Sequence, residues 1–342
     1  MMFIYLSISL ILILLINKYL LKKNFLISDT GDKHQKLASN SKIPLTGGIF
    51  LFLGYLYFLN DKVLSFILFS LIVLILGIFS DLKFLKSAII RFLLQIFLVL
   101  SFIIFNDVQI LDTRIFLLDK ILSNSIANYL FVSFCILIVI NGSNFIDGMN
   151  TLAIGYYFLI GIVIMYLGLD QSIVLNELSI IYFIILLSFT FILNLTNQIY
   201  LGDSGSYLLG FTFSIFLINI YNLNANISPF FIVLLLWYPC YENLFSIIRK
   251  NIIKKSPMDP DRNHFHQLIF FFIKKKHKLN TFLANILTAQ IINIYNICIF
   301  VLSSNFITKS QIQVMLIIFN VAVYTVIYFK LYFFKYRIDS SF

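Results

Sequence analysis

The chain is short of most things a folded soluble domain relies on. Of its 342 residues only 12% are charged, and it has three cysteines, five prolines and one tryptophan. So little charge over so long a chain excludes a water-soluble protein. The cysteines, Cys135, Cys240 and Cys298, all fall inside apolar runs, without metal-ligand spacing, so neither a disulfide framework nor a zinc site is expected. No internal repeat appears, and no stretch is large and polar enough to fold as a separate domain. Strictly alternating apolar residues are also missing, which excludes a membrane β-barrel.

What is present is continuous hydrophobicity. Sixty per cent of the residues are hydrophobic, in runs near the length a helix needs to cross a bilayer, about 20 residues. Eleven segments qualify as candidate spans: 2–17, 43–60, 63–79, 89–106, 127–141, 152–168, 177–194, 205–221, 227–248, 281–302 and 311–333. The expected fold is all-α, a polytopic helical bundle forming one membrane domain over 1–342. The first run reads as an anchor, since its basic residues (Lys18, Lys22, Lys23) follow the apolar stretch and no small-residue cleavage site is seen.

Charge gives the orientation. With the N-terminus periplasmic and the C-terminus cytoplasmic, 21 of the 25 Lys and Arg residues fall in inner segments, as the positive-inside tendency requires. Lys62, Arg114, Lys120 and Lys309 remain outside. The net charge of +10 is thus mainly a property of the cytoplasmic face, suited to phosphates rather than to nucleic acid. All four histidines fall on that face too, with Asp81, Asp147, Asp203 and Glu242. The inner segments, about 18–48, 80–91, 141–153, 194–206 and 249–280, carry the candidate chemistry.

The segment 28–48 ends in PLTGG and holds His34, Lys36 and Lys42, which could face an anion or be a solvated basic loop. Asp81 ends the third span, with Lys83, Lys86 and Arg91 after it; alone, this fits an interfacial cap with lysines reaching for water as well as it fits a site. NGSNFIDGMNTLA, from Asn141, is harder to explain as structure. Its amides need partners if buried, and together with Asn194 they suit sugar hydroxyls, a nucleobase or a hydrated cation. Asp203, in YLGDSGSYLLG, opens an apolar helix. A helix start attracts phosphate, and an acid there can hold Mg²⁺, which takes one or two carboxylates and completes its shell with water and substrate phosphate. Arg262, His264 and His266 follow two prolines and suit a pyrophosphate clamp; histidines two apart do not share a helix face, which argues against zinc.

In order along the chain, PLTGG, GxxxD after the third span, NGSNFIDGMNTLA, LGDSGS and DRNHFHQL resemble the polyprenyl-phosphate N-acetylhexosamine-1-phosphate transferases, glycosyltransferase family 4. That family includes undecaprenyl-phosphate N-acetylglucosamine-1-phosphate transferase and phospho-N-acetylmuramoyl-pentapeptide transferase. The resemblance covers roughly residues 29–333, and the NGSNF and GMN variants look closest to branches that start O-antigen or capsule units. It implies transfer of a sugar-1-phosphate from a UDP-N-acetylhexosamine to undecaprenyl phosphate, with release of UMP and a need for Mg²⁺. It implies catalytic roles for Asp81, Asp147 and Asp203, with Asp203 and Asp147 at the metal. Substrate contacts are expected from Lys36, Asn141, Asn144, Asn194, Arg262, His264 and His266.

Three positions depart from the family pattern: Ser80 replaces the first acid of a paired-aspartate motif, Asn150 the second acid of NxxDGxDG, and Gln267 the third histidine of HxHH. The rival expectations are a transporter or flippase, whose ionisable groups would sit near the midplane of repeated halves, and a non-catalytic scaffold. The sequence leaves the sugar and a homodimer open.

Overall fold

The computed structural model describes residues 2–28, 42–58, 63–169, 180–252, 254 and 263–339. Lys36 and Arg262 lie outside the described residues, as does His34. Among the described residues, fourteen α-helices follow in chain order: α1 Met2–Lys23, α2 Gly47–Tyr55, α3 Leu64–Asp81, α4 Ala88–Asn106, α5 Phe116–Leu122, α6 Ser125–Ile146 and α7 Leu152–Tyr166. Then come α8 Ile180–Leu195, α9 Gly202–Leu223, α10 Pro229–Leu235, α11 Trp237–Ile252, α12 Phe265–His277, α13 Thr281–Ser304 and α14 Ser310–Asp339. Among the described residues there is no strand, and one isolated antiparallel bridge joins Ile27 to Pro44.

Each of the eleven apolar segments holds a helix. Seven of these (α1, α3, α4, α6, α9, α13, α14) are long and apolar enough to cross a membrane. The pair α10–α11 would make an eighth span, bent by 73° at Leu236. The α2 segment, α7 and α8 are apolar but shorter. α5 and α12 are additional; α12 carries Lys274, Lys275, Lys276 and His277 in its last turn, where positive charge complements the helix dipole.

The bundle is organised around α9. Its apolar span is 83% buried inside the protein, whereas those of α4 and α14 are 28% and 22% buried, leaving broad apolar faces for lipid. The other helices come close to α9 because small residues line the contact. Cβ atoms cannot fit at Gly48, where one would sit 2.6 Å from the Gly205 amide nitrogen, or at Gly77, which lies against the Ser204 backbone. So α2 and α3 both pack directly on the first turn of α9. Aromatic side chains fill the interior further along: Phe211 of α9 stacks on Phe66 and meets Phe102 edge-on. Such ring pairs add specific geometry to large apolar burial.

Candidate functional site

The first turn of α9 begins with Gly202 at φ +68°, a left-handed conformation that favours glycine. A Cβ there would lie 2.8 Å from an Asp81 carboxylate oxygen, so the position tolerates no side chain. Asp81, the last residue of α3, accepts from the Asp203 amide (2.8 Å) and the Ser204 amide (3.1 Å). It does for α9 what a local N-cap side chain does for most helices, from 122 residues away. A capping acid in this region was legible; that it caps a different helix was not.

With its own backbone served by Asp81, the Asp203 side chain is free to face outward. One oxygen accepts from Asn144 Nδ2 at 2.6 Å. The other accepts from Ser80 Oγ and from Arg91 Nη1 at 3.2 Å. Arg91 also donates to Ser80 Oγ at 2.5 Å. Ser80 therefore relays between a cation and a carboxylate, where a second acid would put like charges together. Arg91 was read from sequence as one of several interfacial basic residues. Its available signal was Gln95, four residues on: two polar side chains on one face of an otherwise apolar helix.

α6 runs to Ile146 rather than breaking near Gly142. Asn141 and Asn144 therefore sit on one helical face, three residues apart. Gly142 permits close contact with the Pro239 carbonyl. Asn141 donates to Gln95 Oε1 at 3.0 Å; the buried Gln95 Nε2 has no partner. Asp147 follows directly after α6. Burial first, then the charges of Asp203 and Asp81, push its pKa well above the usual carboxylate range, against the pull of the Gly202 amide. Three acids thus share one place, and ionising all of them needs positive charge there.

Asn194 is more occupied than a free substrate contact would be. It accepts from the Thr151 amide at 2.6 Å and donates to the Ile199 carbonyl at 3.0 Å, tying the end of α8 to the loops before α7 and α9. Asn150 belongs to the same mesh. Its Nδ2 donates to Asn197 Oδ1 (2.6 Å) and the Asn194 carbonyl (3.2 Å). An ionised acid at 150 could donate neither bond, which accounts physically for an amide at this position.

His264 immediately precedes α12, and its Nδ1 lies 2.9 Å from Glu242 Oε1. His266 is buried against Gly148, with no partner at either ring nitrogen. The two imidazoles stack nearly parallel, centroids 5.8 Å apart. Burial drives the His266 pKa down to about 3, opposed by the Glu242 charge and reinforced by His264, so at neutral pH this ring is uncharged. Gln267 accepts from the His264 amide at 3.3 Å.

Asp81, Asn141, Asn144, Asp147, Asn194, Asp203, His264 and His266 all line one cavity of about 930 Å³. Of the residues expected to act on metal or substrate, these eight are the ones the structure describes; Lys42, also read as able to face an anion, instead donates to Asn24 Oδ1 at 2.9 Å. Lys83, Lys86, Arg91 and Lys250 line the cavity as well, and on one side its wall is apolar, with Phe92, Phe134, Leu137, Leu244 and Ile247. Phe134 is 57% exposed and Phe92 37%, so that wall continues onto the outer, lipid-facing surface of α4 and α6. Among the described residues, no three His, Cys, Asp or Glu side chains form a ready metal cage. A hard cation that takes few protein oxygens and draws the rest from water and phosphate suits this donor set.

Residues 63–221 match the family model described as glycosyl transferase family 4. Over this stretch the chain is similar to glycosyl transferase family 4. It is 27% identical over 243 residues to an undecaprenyl-phosphate alpha-N-acetylglucosaminyl 1-phosphate transferase of Thermotoga maritima, covering 70% of this chain and 72% of that relative. It is 32% identical over 139 residues to a probable undecaprenyl-phosphate N-acetylglucosaminyl 1-phosphate transferase of Bacillus subtilis, 39% of this chain and 38% of that one. The matched segment takes in α3 through most of α9, and with them Asp81, Arg91, Asn144, Asp147 and Asp203. His264 and His266 lie beyond it.

Proposed function

We propose that this protein transfers an N-acetylhexosamine 1-phosphate from a UDP-sugar to undecaprenyl phosphate, releasing UMP, and so begins a lipid-linked glycan of the cell envelope such as O-antigen or capsule. The bundle would cross the bacterial inner membrane about eleven times, with the cavity on the cytoplasmic side. The observation that carries this reading is a single cavity with a polar end at Asp203 and an apolar wall running out to the lipid-facing surface. A soluble anion and a membrane lipid can both reach such a place.

In the proposed reaction an oxygen of the lipid phosphate attacks the sugar-bearing phosphorus of the UDP-sugar. A new P–O–P bond forms, the bond between the two phosphates of the donor breaks, and the electron pair leaves with UMP. The acceptor oxygen is already anionic near neutral pH, so no proton has to be removed first. The difficulty is bringing anions together. Arg91 would hold the lipid phosphate between the apolar wall and Asp203, and Lys83, Lys86 and Lys250 would draw both substrates inward. Asp203 and Asp147 would hold Mg²⁺, which when bound supplies positive charge against the departing phosphate. Asp81 fixes the first turn of α9 and so the aim of Asp203. Asn141, Asn144 and the histidines remain to bind sugar, nucleotide or phosphate oxygens.

The test is UMP release by purified protein in detergent, given undecaprenyl phosphate, Mg²⁺ and a panel of UDP-N-acetylhexosamines, with Asp203→Asn alongside. The reading expects release that needs lipid and metal, and falls by about a thousandfold in the variant. Release that persists in Asp203→Asn, or the absence of release with every donor, would remove the assignment.

A further inference from the structure

The residues that set the histidine in place come from the other end of the chain. Glu242, on α11, is 1% exposed, and a carboxylate this buried needs donors around it. It has three. Oε1 meets His264 Nδ1 at 2.9 Å and the Phe265 amide at 3.3 Å, and Oε2 accepts from Tyr324 Oη at 2.8 Å. Tyr324 lies on α14, the last helix, and is itself 1% exposed. The same helix holds the residue before His264 from further along: Tyr328 Oη donates to the Asn263 carbonyl at 3.0 Å, and Lys335 Nζ donates to Asn263 Oδ1 at 2.8 Å. All of these residues lie after residue 221, where the family 4 match ends.

Simple anchoring of α12 would require only the backbone bonds. The contact to Nδ1 does something else. An imidazole has two ring nitrogens, and the bond made by one decides what the other can offer. With Nδ1 turned to Glu242 and the ring lining the cavity, Nε2 is the nitrogen left for a substrate. With both nitrogens protonated, the ring can bridge protein carboxylate and substrate phosphate.

We propose that Glu242 and Tyr324 are positioning residues for His264: Tyr324 aims the Glu242 carboxylate, Glu242 accepts a hydrogen bond from Nδ1–H, and Nε2 is thereby presented to a phosphate oxygen of the donor. The part played by the donor phosphate rests on the function proposed above; the orientation of the ring does not. α14 is then an outer brace of the site, although it lines none of the cavity.

Two measurements on the full-length protein in detergent separate these claims. The first is nitrogen NMR with ¹⁵N-labelled histidine, His264 being assigned by loss of its signals in His264→Gln. The expected wild-type pattern is a protonated Nδ1, and Glu242→Leu should lose that preference while α12 and the bundle stay folded by circular dichroism. An Nε2-protonated neutral ring in the wild type, or no change in Glu242→Leu, overturns the proposal. The second is steady-state UMP release. Glu242→Gln keeps an acceptor but not the charge, and should lower kcat/KM for the UDP-sugar about tenfold, with Tyr324→Phe losing less, about threefold. KM for undecaprenyl phosphate should stay unchanged in both. A merely structural role would instead lower the amount of active protein and leave both KM values alone, which would overturn the proposal. If the wild type releases no UMP from any donor, the functional reading fails, and the nitrogen spectra decide the orientation by themselves.

Discussion

The two ends of α9 are built from similar materials and finished differently. At its tail, Arg114 bridges the connection to α10, donating to the carbonyls of Ala225, Asn226 and Ile227, and also to the Thr308 carbonyl and Ser310 Oγ. Tyr221 and Asn222 donate to the Asp112 and Gln109 carbonyls at 2.6 Å each. Among the described residues, only Asn222 Oδ1 is buried there without a partner. At its head, Arg91 reaches a serine hydroxyl and a carboxylate beside a cavity of about 930 Å³. Around it Gln95 Nε2 and both nitrogens of His266 have no partner. One arginine ties the backbone carbonyls of a connection together; the other neutralises an acid beside the cavity. Buried polar groups left unpaired cost stability, and the head of α9 has more of them around it than the tail.

Substitutions can break this contrast, starting with the contact both roles depend on. Gly77→Leu pushes a side chain into the Ser204 backbone and drives α3 from the head of α9, carrying Asp81 with it. It should cost about 3 kcal/mol or more and abolish activity. Thermal unfolding in detergent reads this, and an unchanged midpoint would mean that the α3–α9 contact does not hold the head. Asn150→Asp sets a carboxylate against Asn197 Oδ1 and the Asn194 carbonyl, at a cost of about 2 kcal/mol. If instead it is neutral or raises activity, the amide is not needed for the mesh around 150.

At the tail, Arg114→Gln should lower stability by about 1 kcal/mol, because its contacts are solvent-exposed, and leave UMP release per folded molecule unchanged. A selective loss of activity would erase the distinction between the two ends. The smallest effect is a slope. His266 has a folded pKa of about 3 against about 6.5 in an unfolded chain. Its neutral form costs nothing above the unfolded value. As pH falls from about 6.5 toward 3 the unfolded state takes a proton that the folded state does not, so stability falls. His266→Leu should flatten the dependence of the unfolding midpoint on pH between 6 and 4. An equal slope in both proteins would show that other groups set it.

Much of the helical framework was legible because apolar runs of helical length have few alternatives in a chain with so little charge. Asp203, Asn144 and Asp147 were legible for a related reason: clustered amides and acids between such runs have no bland explanation. The roles of Arg91 and Glu242 were not, because each is set by a partner on another helix or segment. Arg91 meets Asp203 across 112 residues, and Glu242 meets His264 across 22. Residue type and spacing report a helix's own faces, whereas these pairings depend on how three helices converge. Asp81 shows the same limit from the other side, since a capping carboxylate is recognisable but the helix it caps is not.

The burial of α9 also bears on how the protein is made. Of the seven helices able to cross a membrane, α9 is the least apolar. Offered alone to the insertion machinery, it has the weakest claim to leave water for lipid. Yet α2, α3 and α6, whose backbones it touches at Gly48, Gly77 and, through Gly210, Ile140, all precede it in the chain. They have emerged from the ribosome before α9 does. The helix that carries Asp203 can enter a protein-lined berth already assembled, so the order of synthesis supplies what its own composition lacks.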